Sequence, residues 1–133
     1  MKVLVVEDDL AQAFDIMELI EAGGHVPIGP AFDLTAALHF ARRDKPDFAL
    51  VDLNLSYGET GDLVARELHE QLAIPIMFLT GHCESARDHR ESAMGCIAKP
   101  ISGTALLLSI DIAARLAMGQ VPTDLPPNVE LYV

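Results

Sequence analysis

The chain has 133 residues, half of them hydrophobic, with 20 acidic residues against 9 lysines and arginines and a net charge of −11. That length supports one domain with a single core and is too short for a pair of ordinary domains. The negative excess argues against nucleic acid or an anionic membrane as a direct partner, since both would repel the chain, and it favours a divalent cation.

Met1 leads straight into an apolar run, without the hydrophobic stretch of a signal peptide or of a membrane span. Cys83 and Cys96 lie 13 apart with no C-x-x-C pairing. A reducing cytoplasm is therefore the expected compartment.

Lys2–Val6 is a short β-branched run and predicts a strand. Leu10, Ala13, Phe14 and Met17 follow at helical spacing, up to Gly23 and Gly24, where a left-handed cap is cheap. Residues 25–31 predict a second strand, placed at a sheet edge because Pro27 and Pro30 cannot donate ladder bonds. Asp33 is the expected cap of a helix carrying Leu34, Ala37, Leu38 and Ala41 on one face and ending before Pro46.

Residues 48–55, FALVDLNL, are the centre of the pattern. Four apolar residues leading into one carboxylate predict a strand buried on both faces that presents Asp52 at its carboxyl edge, where open α/β sheets bind ligands. After a loop with Gly58 and Gly61, Leu63, Val64, Leu68 and Leu72 predict a third helix with Thr60 as its cap. Residues 74–79 are the most apolar strand, closed by Thr80. Residues 84–93 offer only Ala86 and Ala93 for burial, so a fourth helix there should be weakly anchored. Cys96, Ile97 and Ala98 predict a short fifth strand. Ser102 caps a last helix with Ala105, Leu108, Ile112 and Leu116 turned inward.

From residue 119 the chain is a proline-containing tail. Pro122, Pro126 and Pro127 keep it from being a helix, and a disordered end is the plain expectation. The alternative is that Val129, Leu131 and Val133, which alternate with more polar neighbours, add to a sheet edge or cross to a second subunit. The domain organisation is thus 1–118 for the folded unit and 119–133 for the tail.

Strand alternating with helix five times implies an α/β, flavodoxin-like, doubly wound (βα)5 fold with a parallel five-stranded sheet of order 2-1-3-4-5. In that order the first and third strands are neighbours. Glu7, Asp8 and Asp9 then converge with Asp52, a cluster that would repel itself without a metal. Magnesium suits such hard oxygen donors and leaves positions open for phosphate oxygens, with Asp8 and Asp52 as direct ligands. Asp9 serves only as a helix N-cap. Thr80 and Lys99 end two more strands on the same edge. A hydroxyl and an ammonium beside a carboxylate and a divalent ion form a phosphoryl-binding group in which Asp52 is the nucleophile.

These residues resemble a response-regulator receiver domain of bacterial two-component signalling, from about residue 2 to residue 116. The matching motifs are Glu7 and Asp8 in VLVVEDD, Asp52, Thr80 in FLTG, and Lys99 before Pro100. The resemblance implies a phosphoacceptor, not a turnover enzyme, that takes a phosphoryl group onto Asp52 from a histidine kinase or a histidine phosphotransfer protein. It implies Mg2+ held by Asp8, Asp52 and the main-chain carbonyl of Asn54, with Glu7 contributing directly or through water. It also implies a cis peptide at Lys99–Pro100, a switch hydroxyl at Thr80, and a protein partner as the output.

Some features depart from the family pattern. Lys99 follows Thr80 by 19 positions, a short interval, so the fourth helix or its loops must be trimmed. The loop after Asp52 is long, with its glycine at position 61. Cys96 stands where receivers often carry an aromatic residue that reports phosphorylation.

Three rival readings come from different stretches of the chain. A haloacid-dehalogenase-like phosphatase would also use Asp52 as nucleophile, but Asn54 lacks the second carboxylate such enzymes need. A flavodoxin would need a hydroxyl-rich phosphate loop where Glu7, Asp8 and Asp9 stand. A zinc site from His82, Cys83, His89 and Cys96 lacks paired spacing. A stand-alone receiver and a receiver cut from a longer regulator both fit the chain.

Overall fold

The computed structural model describes residues 1–55 and 61–132. In chain order the elements are β1 (Lys2–Val6), α1 (Leu10–Ala22), β2 (Val26–Ala31), α2 (Leu34–Asp44), β3 (Phe48–Asp52), α3 (Gly61–Leu72), β4 (Ile76–Thr80), α4 (Cys83–Ala86), a 3-10 segment (Arg87–Ser92), β5 (Gly95–Ala98), α5 (Gly103–Ala117) and β6 (Val129–Leu131). The sheet order is β2-β1-β3-β4-β5-β6, parallel except for the antiparallel β5–β6 pair. The doubly wound order 2-1-3-4-5 expected from the sequence is present, with one strand added.

The central strands are apolar on both faces because both faces are covered. Leu4, Val6, Ala49, Val51, Ile76 and Phe78 face one cluster with α2 and α3 residues such as Ala37 and Leu68. Val3, Val5, Phe48, Leu50, Met77 and Leu79 face the other, with Ile16 and Ile20 of α1 and Leu106 and Ile110 of α5. Each large side chain fully buried this way contributes roughly 1.5–3 kcal/mol. The two layers cover both faces of the sheet beneath the site.

Several boundaries follow from local chemistry. Asp9 accepts from the Gln12 amide, Asp33 from the Ala36 amide and Ser102 from the Ala105 amide, each a side-chain N-cap. After α1, Gly24 takes a φ of +86°, a region that penalises other residues. β2, with its two prolines, lies at the edge as expected.

Other expectations need correction. In α1 the buried face is Ala13, Ile16 and Ile20, while Leu10 and Phe14 are each 53% exposed. The helix is apolar enough to offer two stripes at the same spacing, and the packed one lies further along. In α5 the inward face is Leu106, Ser109, Ile110, Ile112 and Ala113, and Leu108 faces outward. Thr60 and Gly58 lie outside the described residues, as does Val133. The fifth strand is not an edge, because the tail covers it: Gly95 pairs with Leu131, Cys96 with Glu130 and Ile97 with Val129. The end of the tail therefore forms a strand, which overturns the plain expectation of a disordered end and agrees with the alternative drawn from Val129 and Leu131.

The fourth helix is reduced to a single turn followed by the 3-10 segment. Ala86 alone in α4 is buried, and no residue of the 3-10 segment is. Sparse apolar content gives the backbone little to bury, and a full helix does not form.

Candidate functional site

The ladder register brings the chemistry together. Val6 pairs with Val51, so the next residues, Glu7 and Asp52, emerge side by side. Asp52 pairs with Leu79 and Thr80 with Ala98, which puts Thr80 and Lys99 on the same edge. Glu7, Asp52 and Thr80 are all buried, at 1%, 5% and 1% exposure.

Lys99 is the hub of the polar network. Its Nζ donates to Asp52 Oδ2 at 3.0 Å, to Glu7 Oε2 at 3.2 Å and to Gln12 Oε1 at 3.0 Å. The Asn54 amide donates to Asp52 Oδ1 at 2.9 Å. The Asp9 amide donates to Glu7 Oε1 at 3.0 Å. Thr80 Oγ1 accepts from the His82 amide at 3.1 Å and lies 3.5 Å from Asn54 Nδ2. The Lys99 amide in turn donates to the Thr80 carbonyl at 2.8 Å, which fixes the start of the turn through the cis Lys99–Pro100 peptide.

The electrostatics follow from burial. Desolvation, with the hydrogen bond and charge of Asp52, pushes the Glu7 carboxyl up to about 7 from an ordinary 4.5. Burial by itself would depress the Lys99 ammonium, but the hydrogen bond to Asp52 and the charges of Asp52 and Glu7 outweigh it and raise its pKa. One ammonium therefore holds two buried acids.

Carboxylate oxygens of Glu7, Asp8 and Asp52 come within 4.8 Å of one another, a set of hard oxygen donors suited to a small divalent cation. Burial, and after it the hydrogen bond and charge of Asp52, keep the Glu7 carboxyl raised in spite of Lys99. The donor set fits magnesium.

A family model described as the response regulator receiver domain matches residues 3–111. The chain belongs to the response-regulator receiver family. It is similar to the phyllosphere-induced regulator PhyR of Methylorubrum extorquens, at 32% identity over 101 residues, covering 74% of this chain and 38% of PhyR. It is 35% identical over 82 residues to the aerobic respiration control protein ArcA of Escherichia coli, covering 59% of this chain and 32% of ArcA. The chain thus spans less than two fifths of the length of these relatives. Among solved structures, the signal receiver domain of a modulated diguanylate cyclase from Desulfovibrio desulfuricans superposes with a TM-score of 0.79 at 28% identity, covering 88% of this chain and 95% of that one.

Within this receiver, the acids, Thr80 and Lys99 predicted from strand ends are brought to one pocket. Gln12 was not anticipated. Its signal was its place three residues after the Asp9 cap, where a glutamine can reach back over the helix start. Its amide caps to Asp9 while its side-chain oxygen takes a bond from Lys99.

The zinc reading fails among the described residues. Cys83 and Cys96 are joined in a disulfide, which consumes both sulfurs, and His89 lies 3.5 Å from Asp62. The pairing of the two cysteines was not anticipated from the sequence. Thirteen residues apart in sequence, they meet because α4 begins directly above β5. No helix among the described residues is long and apolar enough to cross a membrane.

Proposed function

We propose that this receiver, residues 1–118 with Val129–Leu131 of the following tail paired to its sheet, accepts a phosphoryl group on Asp52 from a phosphohistidine of a kinase or phosphotransfer protein in the cytoplasm. The observation that carries this reading is the Asp52 carboxylate, clustered with Glu7 and Asp8 and held 3.0 Å from Lys99 Nζ. The P–N bond of the donor breaks as an Asp52 oxygen bonds to phosphorus, and the imidazole leaves with the electron pair. Lys99 then exchanges its bond to the free carboxylate for a bond to a phosphoryl oxygen, and the Thr80 hydroxyl donates to another. Magnesium, held by Asp8, Asp52 and the Asn54 carbonyl with Glu7 behind them, would neutralise the oxygens during transfer.

The opening of the pocket suits a protein donor. A groove of about 440 Å³ lies between α1 and the Lys99–Pro100 turn, and the exposed Leu10 and Phe14 sit on the same helix. Apolar residues beside a polar centre are what a transient protein contact uses.

Incubation with a small phosphodonor and Mg2+ should add the mass of one phosphoryl group to the intact protein, and chelation should prevent it. Asp52→Asn should abolish the gain; labelling equal to the parent would refute the assignment. Thr80→Ala should still accept phosphate, because that hydroxyl meets the product and does not supply the nucleophile. Sustained turnover of many phosphomonoesters would instead support the phosphatase reading.

A further inference from the structure

We propose that Cys83 and Cys96 are a reversible thiol–disulfide site that clamps the segment after Thr80, so that the response to phosphoryl binding depends on the redox state. The inference rests on the receiver reading for its consequence, and its structural part stands on geometry alone.

The two sulfurs come from elements of very different firmness. Cys96 is fully buried in β5, paired to Phe78 on one side and to Glu130 on the other. Cys83 keeps part of its surface exposed and is the first residue of α4, three positions beyond Thr80. The bridge therefore ties the least anchored helix to the middle of the sheet. From residue 83 to residue 92 the segment buries only Ala86. Among the described residues its other side-chain ties include an edge contact from His89 to Phe78, the approach of His89 to Asp62 at 3.5 Å, and the two-pronged ion pair of Arg87 with Glu130, with His89, Asp62, Arg87 and Glu130 all partly or largely open to solvent. Each of these contacts is non-covalent and the charged ones are screened by solvent, so the disulfide is the strongest single restraint on this stretch.

That restraint acts next to the chemistry. The His82 amide, one residue before the bridge, donates to Thr80 Oγ1. For the hydroxyl to turn toward a phosphoryl group on Asp52 that bond must break, and His82 must yield. With Cys83 fixed to β5, His82 is held between the end of β4 and the bridge. With the bridge open, the turn is free to follow.

The chemistry balances. A dithiol reductant attacks the accessible Cys83 sulfur; the S–S bond breaks and Cys96 leaves as a thiolate that takes up a proton. The reductant's second thiol resolves the mixed disulfide, leaving two protein thiols and an oxidised dithiol, a transfer of two electrons and two protons. Re-formation uses a disulfide or a peroxide as the two-electron acceptor. In a cytoplasm, disulfides of this kind are transient and regulatory.

The test uses the full chain in oxidised form, after reduction with dithiothreitol, and as Cys83→Ala. Thiol labelling with a maleimide should find no reactive cysteine in the oxidised protein and two after reduction under denaturing conditions; two without reductant would refute the bridge. Hydrogen exchange without any phosphoryl mimic should show amides of residues 83–92 exchanging about tenfold faster once the bridge is opened. Equal exchange in both states would overturn the clamp. Cys83→Ala should match the reduced protein and ignore dithiothreitol. Addition of beryllofluoride with Mg2+ should change exchange at residues 81–95 strongly in the reduced protein and weakly in the oxidised one. Equal responses in the two states would overturn the coupling. Loss of the response in both, together with failure of Asp52 to label, would refute the receiver reading and leave the clamp to the mimic-free comparison.

Discussion

Gly61 shows how closely the backbone is packed around Asp52. Its amide donates to the Leu53 carbonyl at 2.9 Å, and a Cβ at this position would fall on the Asp52 carbonyl oxygen and the Leu53 Cα, neither of which can move without moving the site. Gly61→Ala should cost about 1–3 kcal/mol in a denaturant melt and impair labelling of Asp52, whereas an unchanged melt would refute the contact. Glu7 makes a second prediction at this scale. Its carboxyl, raised by burial and by Asp52 from 4.5 to about 7, holds a proton in the folded chain that the unfolded chain has already lost. In metal-free protein the stability contributed by this group is therefore complete below pH 4.5 and declines as pH rises to about 7, by up to roughly 3 kcal/mol. Urea melts in chelator across that window should show the decline in the parent and lose it in Glu7→Gln; an identical slope in both would count against it. These single residues were unequally legible. Glu7, Asp8, Asp52, Thr80 and Lys99 announce themselves as polar residues ending apolar strands. Cys83 and Gln12 do not, because what they touch depends on how a loop and a helix start are placed over the sheet.

The C-terminal strand is the element whose role the sequence left open. Val129 and Leu131 alternate as a strand should, but only the uncovered edge of β5 tells where they go. Gly95 permits the pairing, since a Cβ there would meet the Glu130 carbonyl oxygen of β6. Gly95→Val should therefore detach the tail selectively. Limited proteolysis near residues 119–128 would report it, and a tail as protected as in the parent would contradict the contact. Tyr132, next along, packs on the α2–α3 side of the sheet, with its hydroxyl buried and without a hydrogen-bond partner among the described residues. Removing an unsatisfied buried hydroxyl relieves a desolvation cost, so Tyr132→Phe should leave stability unchanged or raise it by up to about 1 kcal/mol. A clear loss in a thermal melt would mean that the hydroxyl is engaged. The helices show the complementary limit. In α1 and α5 the periodicity was plain but the packed face was not, because an apolar helix carries more than one stripe and only tertiary packing chooses between them. The shortness of α4, in contrast, was legible from its few apolar residues.

At the scale of the molecule, fold and site are one consequence of strand order: placing β1 beside β3 sets acids from distant parts of the chain against each other. The 2-1-3-4-5 order could be read from alternation of strands and helices, while the place where the tail pairs and the disulfide could not, since both are contacts between separate segments that no local pattern assigns to each other. The same juxtaposition sets a stability balance, because a chain of net charge −11 concentrates three carboxylates where one lysine reaches two of them. A divalent cation binding only the folded state adds stability as its concentration exceeds its dissociation constant, about 1.4 kcal/mol at a tenfold excess. Asp8→Asn removes one of the repelling charges and one of the oxygen donors. Without metal it should be more stable than the parent, by roughly 1 kcal/mol. With saturating Mg2+ the order should reverse, because the parent gains and the variant does not. Sodium chloride at equal ionic strength should narrow the metal-free difference by screening but should not reproduce the reversal. Thermal melts of both proteins in chelator, in Mg2+ and in matched salt decide the matter. Two proteins that gain equally from Mg2+ would show that the ion acts by screening alone and that the three carboxylates do not form its site.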